Sequence, residues 1–321
     1  MSVQVSAQHR RFGVPFNTQL ANLIPGSIET EFDGDKYVVV PHTTDTTRIA
    51  RNLGYKVPAP LTSRYDWAGD TPFRTQRITA AMLTMNKRAF VLSQMGTGKT
   101  RAALHALNFL LAERAITSAL IAAPLSTLTL VWDREIFEFF PHLNVSVLYG
   151  TKAQRLDALK KPADIYIINH DGVEVIREAL VARKDIGCVI IDEVAAYRNQ
   201  QTARWKTMQQ VVYDRGYVWG LTGSPTPNEP TDAYGQVKLF MPHKVPRHFS
   251  HFRKSTMRQI TQFKWIAKED ANDTVFELMQ PAVRFRRDEC VELPPVSYVG
   301  RQAAMSKVQE KVYKALVRSC A

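Results

Sequence analysis

The sequence predicts an α/β fold built around a central parallel sheet. From residue 71 onward, short apolar runs alternate with segments of helical periodicity, which is the pattern of repeated βαβ units. Each run is short and rich in residues that favour strands, as expected of a strand buried on both faces. The predicted strands cover residues 89–92, 119–123, 145–149, 165–168, 188–191 and 217–221.

Three segments of different character are expected along the chain. Residues 1–60 show a short helix, two strands joined by Asp33-Gly34 and a second helix, which predicts a small α+β module before Pro58-Ala59-Pro60. Residues 61–242 carry the pattern of the parallel sheet. Residues 243–321 are first basic and aromatic and then helical, which predicts a basic helical extension.

Composition favours a globular protein that binds a polyanion. The 321 residues are 45% hydrophobic, which is sufficient for one large core or two smaller ones. The net charge of +12 favours nucleic acid first and an anionic membrane surface second. A basic surface that serves solubility alone is the alternative.

The cysteines and the amino terminus indicate a cytoplasmic protein. Cys188, Cys290 and Cys320 are far apart and match no metal-binding spacing, which argues against a disulfide framework or a zinc site. The first sixteen residues contain no apolar core of a signal peptide, and no apolar run is long enough to span a membrane. We therefore expect neither export nor a membrane span.

A glycine-containing turn after the first predicted strand of the sheet is the strongest candidate site. It reads Ser93-Gln94-Met95-Gly96-Thr97-Gly98-Lys99-Thr100 and leads into a helix. Such a turn presents backbone N–H groups to phosphate, while Lys99 reaches the β- and γ-phosphates and the Thr100 hydroxyl ligates Mg²⁺. Ser93 stands where the P-loop pattern has glycine, and an ordinary glycine turn is the alternative. We expect ATP and Mg²⁺ as the ligands, with residues 95–100 in contact with the nucleotide.

An acidic pair follows another predicted strand. Asp192 and Glu193 end the run of residues 188–191, at the sheet edge where ligands of open α/β folds bind. Asp192 is expected to hold Mg²⁺ through water, and Glu193 to orient or deprotonate the attacking water. Together with Lys99, these residues form the predicted catalytic group.

Two further stretches contain candidate site residues because of where they lie relative to the predicted strands and the glycine turn. Gln76 lies one short helix before the glycine turn, and its amide can pair with the N6/N7 edge of adenine. Arg74 is close enough in sequence to join the same candidate nucleotide site. Thr222 follows the strand of residues 217–221 in a Gly/Pro-rich turn, which alone could be a tight loop.

Read together, these stretches resemble the ordered motifs of superfamily-two helicases. The branch that they resemble is the Swi/Snf-type DNA translocases, especially the compact phage-encoded ones. The resemblance rests on Gln76, residues 93–100, Ala123-Pro124-Leu125-Ser126 with Trp132 and Glu135, Asp192-Glu193-Val194-Ala195, and residues 221–228. Tyr197-Arg198-Asn199, and Arg286-Arg287-Asp288 followed by Leu293-Pro294-Pro295, are similar to later stretches of that branch.

The resemblance implies a RecA-like ATP-binding lobe that acts on DNA, most simply double-stranded DNA. By analogy, Ser126, His170 beside Asn169, and Thr222 would follow the phosphate backbone or couple it to the ATP site. Ala195 stands where many relatives have histidine, so coupling would pass through Gln201 or another polar group, or be weaker. A phage origin would place the protein in the cytoplasm of a bacterial host. Residues 1–60 are similar to Harp-like modules, whose role here is either structural or DNA-contacting.

Motors of this family have a second RecA-like lobe, and too few residues follow Pro242 to form one, since about 150 are needed. We expect either a longer polypeptide or a separate chain to complete the cleft, and poor ATP hydrolysis without it.

Basic and aromatic residues of segment 243–268, including Arg253 and Lys254, are the remaining candidate DNA contacts, although a solvated helical hairpin would look similar. A non-motor module that docks on DNA or protein and retains a nucleotide site is the alternative function. A P-loop kinase is disfavoured by the residue 221–228 turn and by the position of Gln76.

Overall fold

A seven-stranded parallel sheet forms the centre of the protein. The computed structural model describes residues 3–67, 71–290, 299–300 and 303–320. The strands of this sheet are β5 (Arg88–Val91), β6 (Ser118–Ala123), β7 (Val145–Leu148), β8 (Ile165–Asn169), β9 (Ile186–Asp192), β10 (Tyr217–Leu221) and β13 (Ala282–Val283). Their order is β13-β5-β10-β9-β6-β8-β7, and every neighbouring pair is parallel. The predicted α/β fold class and its six predicted strands are confirmed.

The sheet is buried on both faces because its strands are apolar along most of their length. In β6, Leu120 and Ala122 enter one core cluster, whereas Ala119, Ile121 and Ala123 enter the other. This alternation is the two-residue period of a strand. One cluster packs under α4 (Arg74–Met85) and α5 (Lys99–Ala112), and the other under the helices from α7 (Lys152–Lys160) to α13 (Ala271–Leu278).

The helices of the described residues vary widely in length. They are α1 (Thr18–Leu23), α2 (Thr44–Asn52), α3 (Pro60–Arg64), α4 (Arg74–Met85), α5 (Lys99–Ala112), α6 (Arg134–Phe139), α7 (Lys152–Lys160), α8 (His170–Val175), α9 (Arg177–Ala182), α10 (Ala203–Val212), α11 (Ala233–Phe240), α12 (Phe249–Thr256), α13 (Ala271–Leu278) and α14 (Lys307–Cys320). No helix among the described residues is both long and apolar enough to cross a membrane.

The amino-terminal module contains two more strands than the sequence predicts. Its antiparallel sheet has the order β1-β2-β4-β3, from β1 (Gln4–Ser6), β2 (Arg11–Pro15), β3 (Ile28–Phe32) and β4 (Asp35–Pro41). We missed β1 because it has three residues, and β2 because Gly13 and Pro15 interrupt its β-rich run. In the structure β2 is extended because it pairs with β4, and the local sequence does not indicate that pairing.

The basic extension also departs from the expectation of helices alone. A hairpin of β11 (Met257–Gln259) and β12 (Trp265–Ala267) separates α12 from α13. The chain then returns to the central sheet, where β13 pairs with β5. Residues up to 290 form one compact unit, and residues 291–321, with helix α14, form a second. The predicted stretch Leu293-Pro294-Pro295 lies outside the described residues.

Candidate active site

The carboxyl edge of the central sheet brings the predicted motifs together. Strands β5, β10 and β9 are neighbours and end at the same level, since Leu221 pairs with both Val91 and Asp192. The glycine turn follows β5, the acidic pair ends β9, and Thr222 follows β10. The motifs that are far apart in sequence therefore meet at one end of three adjacent strands, as expected of a ligand site in an open α/β sheet.

Residues 93–100 form a wide turn that leads into α5. Gly96 and Gly98 have φ angles of +79° and +74°, and Gly98 caps the amino terminus of α5. Thr97 is buried, and its hydroxyl donates to the Gln94 carbonyl at 2.8 Å, which stabilises the turn. Met95 is 77% exposed at the tip. The helix amino terminus and the turn together present backbone N–H groups suited to phosphate.

Lys99 lies between the turn and the two carboxylates. Its ammonium donates to the carbonyls of Ser93 at 2.8 Å and Gln94 at 3.0 Å. Burial lowers the pKa of Lys99, and the negative charges of Glu193 and Asp192 oppose that lowering. The pKa of Lys99 thus depends on the charges of both carboxylates.

Each carboxylate of the acidic pair is held by a donor. Asp192 accepts from the Trp132 indole N–H at 2.9 Å and from the Glu193 backbone N–H at 3.1 Å. Burial raises the pKa of Asp192, and the Trp132 bond opposes that rise. Glu193 has a φ of +50° and accepts from the Thr222 hydroxyl at 3.0 Å. The two carboxylates are thus oriented separately, one toward β6 and the other toward β10.

The donor set at this edge fits Mg²⁺. Asp192 supplies a carboxylate, and Thr100 supplies a hydroxyl on the first turn of α5. No cluster of three or more His, Cys, Asp or Glu side chains suited to a metal occurs in the described part of the chain. Mg²⁺ in phosphate-transfer sites uses one or two carboxylates and takes its other ligands from water and phosphate. Asp192 and Thr100 are therefore the residues that would hold it.

Gln76 helps to hold the turn of residues 93–100. It is buried, its amide oxygen accepts from the Phe73 backbone N–H at 2.8 Å, and its Nε2 donates to the Gly98 carbonyl at 3.4 Å. The amide therefore joins the start of α4 to the turn. Arg74 is exposed on the first turn of α4.

Ser93, the departure from the P-loop pattern, has a structural partner that sequence reasoning missed. Its hydroxyl accepts from the Phe285 backbone N–H at 3.0 Å, and the Gln94 amide oxygen accepts from the Arg287 backbone N–H at 2.9 Å. The segment that follows β13 is thus bonded to the first two residues of the turn. A glycine at position 93 could not provide this hydroxyl, and no spacing rule relates residues almost two hundred positions apart.

The candidate DNA contacts divide into exposed and buried residues. Ser126 is exposed on a short 3₁₀ turn (Leu125–Thr127), and Lys254 is exposed on α12. The Arg253 guanidinium lies over the Trp265 ring at 4.3 Å. His170 and Thr222 instead have buried side chains, so the structure does not place them where DNA would bind.

The buried pair has internal roles. His170 Nδ1 lies 3.0 Å from the Tyr197 hydroxyl, and burial lowers the pKa of His170 to about 4. Thr222 makes the bond to Glu193 described above. A bond from Thr222 therefore links the acidic pair to the turn after β10. Gln201, one of the residues that we expected to replace the missing histidine at Ala195, is exposed.

Comparison with known proteins agrees with this geometry. The family model for the SNF2-related domain matches residues 76–320. The chain belongs to the SNF2-related domain family. The match includes Gln76, the turn of residues 93–100, the acidic pair and Thr222. This family match supports an ATPase motor domain.

The relatives include remodelling factors and a phage protein. A CHD3-type chromatin-remodelling factor of Arabidopsis thaliana is 26% identical over 70% of this chain and 18% of its own length. The putative protein p41 of Acyrthosiphon pisum secondary endosymbiont phage 1 is 29% identical over 52% of this chain and 38% of its own length. The SWI2/SNF2 ATPase core of Sulfolobus solfataricus, solved in complex with double-stranded DNA, superposes with a TM-score of 0.56 at 20% identity. That match covers 69% of this chain and 46% of the other, so the SNF2-related domain shares its RecA-like fold but spans less than half of it.

Proposed function

We propose that this SNF2-related domain is the ATP-binding lobe of a motor that hydrolyses ATP and uses it to translocate on double-stranded DNA. The observation that carries the proposal is the convergence of Lys99, Asp192 and Glu193 at the end of adjacent parallel strands. Catalysis of phosphoryl transfer is mainly positioning and charge stabilisation, which this arrangement can provide.

Each residue has a separate task in the proposed reaction. The turn of residues 93–100 and the amino terminus of α5 bind the phosphates, and Lys99 exchanges its two carbonyl partners for phosphate oxygens. Asp192 and Thr100 would hold Mg²⁺, which neutralises charge on the phosphates when bound. Glu193, held by Thr222, orients the attacking water and accepts its proton.

A second RecA-like lobe is part of the proposal. The chain spans about a fifth to two fifths of the curated relatives reported above. A second lobe, on the continuing chain or on a separate polypeptide, would close over the nucleotide and supply an arginine finger worth about 10³ to 10⁵ in rate. This lobe alone is expected to bind ATP and to hydrolyse it slowly.

The proposed DNA partner is supported by charge and by the relatives. The net charge of +12 favours a polyanion, and the Sulfolobus core was solved with double-stranded DNA. Ser126 on its exposed turn and Lys254 on α12 are the proposed contacts, and Arg253 precedes Lys254 on the same helix. The phage relative and the free thiols of Cys188 and Cys290 support a bacterial host cytoplasm as the site of action.

Nucleotide binding tests the first part of the proposal. Titration of a fluorescent ATP analogue should show binding that Lys99→Ala weakens by at least tenfold. Lys238→Ala is the matched control, because Lys238 is also half-buried and donates to the Arg247 carbonyl and the Tyr234 hydroxyl at 3.0 Å. Equal affinity in the Lys99 variant and the wild type would refute the nucleotide site.

DNA binding is tested by its dependence on salt. Gel-shift titration of a DNA duplex should show an affinity that falls steeply as salt rises, because phosphate contacts release counterions. Lys254→Ala should reduce the slope of log K against log salt by about one, whereas Lys160→Ala, an exposed lysine paired with Asp157, should not. Binding that does not change with salt would favour a protein partner instead.

A further inference from the structure

Trp132 is a fully buried side chain that contacts the acidic pair from the segment that follows β6. Its indole Nε1 donates to Asp192 Oδ2 at 2.9 Å, and its exposed fraction is 0%. Asp192 Oδ1 is occupied by the Glu193 backbone N–H. Each oxygen of the Asp192 carboxylate therefore has one donor, and these two bonds together fix its plane.

We propose that Trp132 is a positioning residue that holds the Asp192 carboxylate in the orientation required to bind Mg²⁺ at the nucleotide site. The proposal rests on the proposed function of that site. The contact is made through a side chain, so it depends on the identity of residue 132, unlike the backbone donation from Glu193.

The local fold explains why the indole is rigid enough for this task. Trp132 lies on a wide π-helical turn (Leu128–Asp133) that continues into α6. Leu128, Trp132 and Ile136 are buried on one side of this segment, while Leu130 is 74% exposed on the other. Single π turns occur often at functional sites, and here the turn places the indole N–H at the end of β9.

An alternative role for the bond is structural. A buried indole N–H needs an acceptor, and a partly buried carboxylate needs donors, so the pair could serve stability alone. The two roles differ in what they predict. A positioning role affects the contribution of Mg²⁺ to nucleotide affinity, whereas a structural role affects the free energy of unfolding and leaves that contribution unchanged.

The test compares nucleotide affinity with and without Mg²⁺. For wild type and Trp132→Phe, the Kd of a fluorescent ATP analogue is measured in excess Mg²⁺ and in EDTA, and the ratio of the two values gives the metal's contribution. Loss of a residue that orients a metal ligand typically costs about 10- to 100-fold in metal affinity. We expect the ratio to fall at least tenfold in Trp132→Phe, with the EDTA value within about twofold of wild type.

Trp219→Phe is the matched control. Trp219 is also 0% exposed, and its indole N–H donates to the Asn86 carbonyl at 3.1 Å, at the opposite end of β10 from Thr222. Both variants lose one buried indole donor, so both are expected to lower the melting temperature. Only the Trp132 variant should change the Mg²⁺ ratio. If the ratio is unchanged in both, the positioning role is refuted.

A second variant separates loss of the N–H from loss of ring volume. Site-specific replacement of Trp132 by benzothienylalanine keeps the bicyclic ring and substitutes sulfur for the N–H group. The Mg²⁺ ratio should fall in this variant as in Trp132→Phe, and a wild-type ratio would refute the proposal. Wild-type protein that binds no nucleotide in either condition would instead refute the proposed function itself.

Discussion

The nucleotide edge of the central sheet and the amino-terminal module are stabilised in different ways. At the edge, polar groups hold one another: Thr222 binds Glu193, and Trp132 binds Asp192. In the module, apolar residues of β2 and β4 pack on two short helices, and Phe12 and Val38 are almost fully buried. The edge thus depends on the direction of individual bonds, whereas the module depends on buried area, which tolerates change more readily.

The two regions should respond differently to the same glycine-to-alanine substitution. Gly98 at the edge and Gly26 in the module have nearly equal φ angles, +74° and +78°. A Cβ at Gly98 would lie 2.1 Å from Gln76 Nε2, whereas a Cβ at Gly26 would meet no atom within 4 Å. Gly98→Ala therefore adds displacement of the Gln76 amide to the left-handed strain of about 1–2 kcal/mol that both variants share.

We expect Gly98→Ala to weaken binding of a fluorescent ATP analogue by more than tenfold, which is the largest of the expected effects. The turn would relax to a conformation that no longer presents its N–H groups together. Gly26→Ala should lower the free energy of unfolding by about 1 kcal/mol and leave nucleotide affinity unchanged. Equal nucleotide affinity in the two variants would contradict the difference between the regions.

The second prediction tests whether a single hydrogen bond at the nucleotide edge, from the Thr222 hydroxyl, affects ATP hydrolysis. Thr222→Val keeps the shape of the side chain and removes the donor to Glu193. We expect slow ATP hydrolysis to fall about tenfold while nucleotide affinity stays the same, since hydrogen bonds to charged groups contribute about 1.5–3 kcal/mol. Thr256→Val is the control, because Thr256 is also fully buried and donates to the Phe252 carbonyl within its own helix. Single-turnover hydrolysis measures the difference.

Arg48 joins the amino-terminal module to the carboxyl end of α4. From α2 it donates through Nε to the Met85 carbonyl at 2.7 Å and through Nη2 to the Thr84 carbonyl at 3.1 Å. Arg48→Ala leaves these carbonyls without their partner and should lower the free energy of unfolding by about 1–3 kcal/mol. Thermal unfolding measures this loss, and nucleotide affinity should not change. Arg51→Ala is the control, because Arg51 also lies on α2 but bonds to the Val57 carbonyl within the module. A change in the nucleotide affinity of Arg48→Ala would show that the module affects the nucleotide site.

Sequence predicted the edge well because its residues obey short-range rules. The turn of residues 93–100 and the pair Asp192-Glu193 each lie at the end of an apolar strand, and parallel strands bring such ends together. The partners of these residues were not predictable. Trp132 is sixty positions from Asp192, and Phe285 almost two hundred from Ser93, so only the packed sheet shows these contacts. The sequence also did not show that His170 and Thr222, which we listed as candidate DNA contacts, are buried.

The smallest expected effect concerns His42, which lies where the module meets the rest of the chain. It is 1% exposed, and its Nε2 lies 3.0 Å from the Pro58 carbonyl, which fits a neutral ring donating there. Burial is the main cause that lowers the pKa of His42 below its usual 6.5, and the charges of Arg64 and Arg51 add to the lowering. The folded state therefore resists protonation more than the unfolded state does.

The sign of the pH dependence follows from that difference. Above pH 6.5 the ring is neutral in both states, so its contribution to stability is complete. As pH falls below 6.5, the unfolded state takes up the proton first, and the free energy of unfolding decreases. His42→Gln keeps an N–H donor for the Pro58 carbonyl and removes the titration. Melting temperatures between pH 5 and 7.5 should therefore fall less steeply in the variant than in wild type, and His170, which is unchanged, contributes equally to both. Identical slopes would mean that His42 is protonated as easily in the folded protein as in the unfolded chain, and that the junction of the module with the rest of the chain is more open to water than its burial indicates.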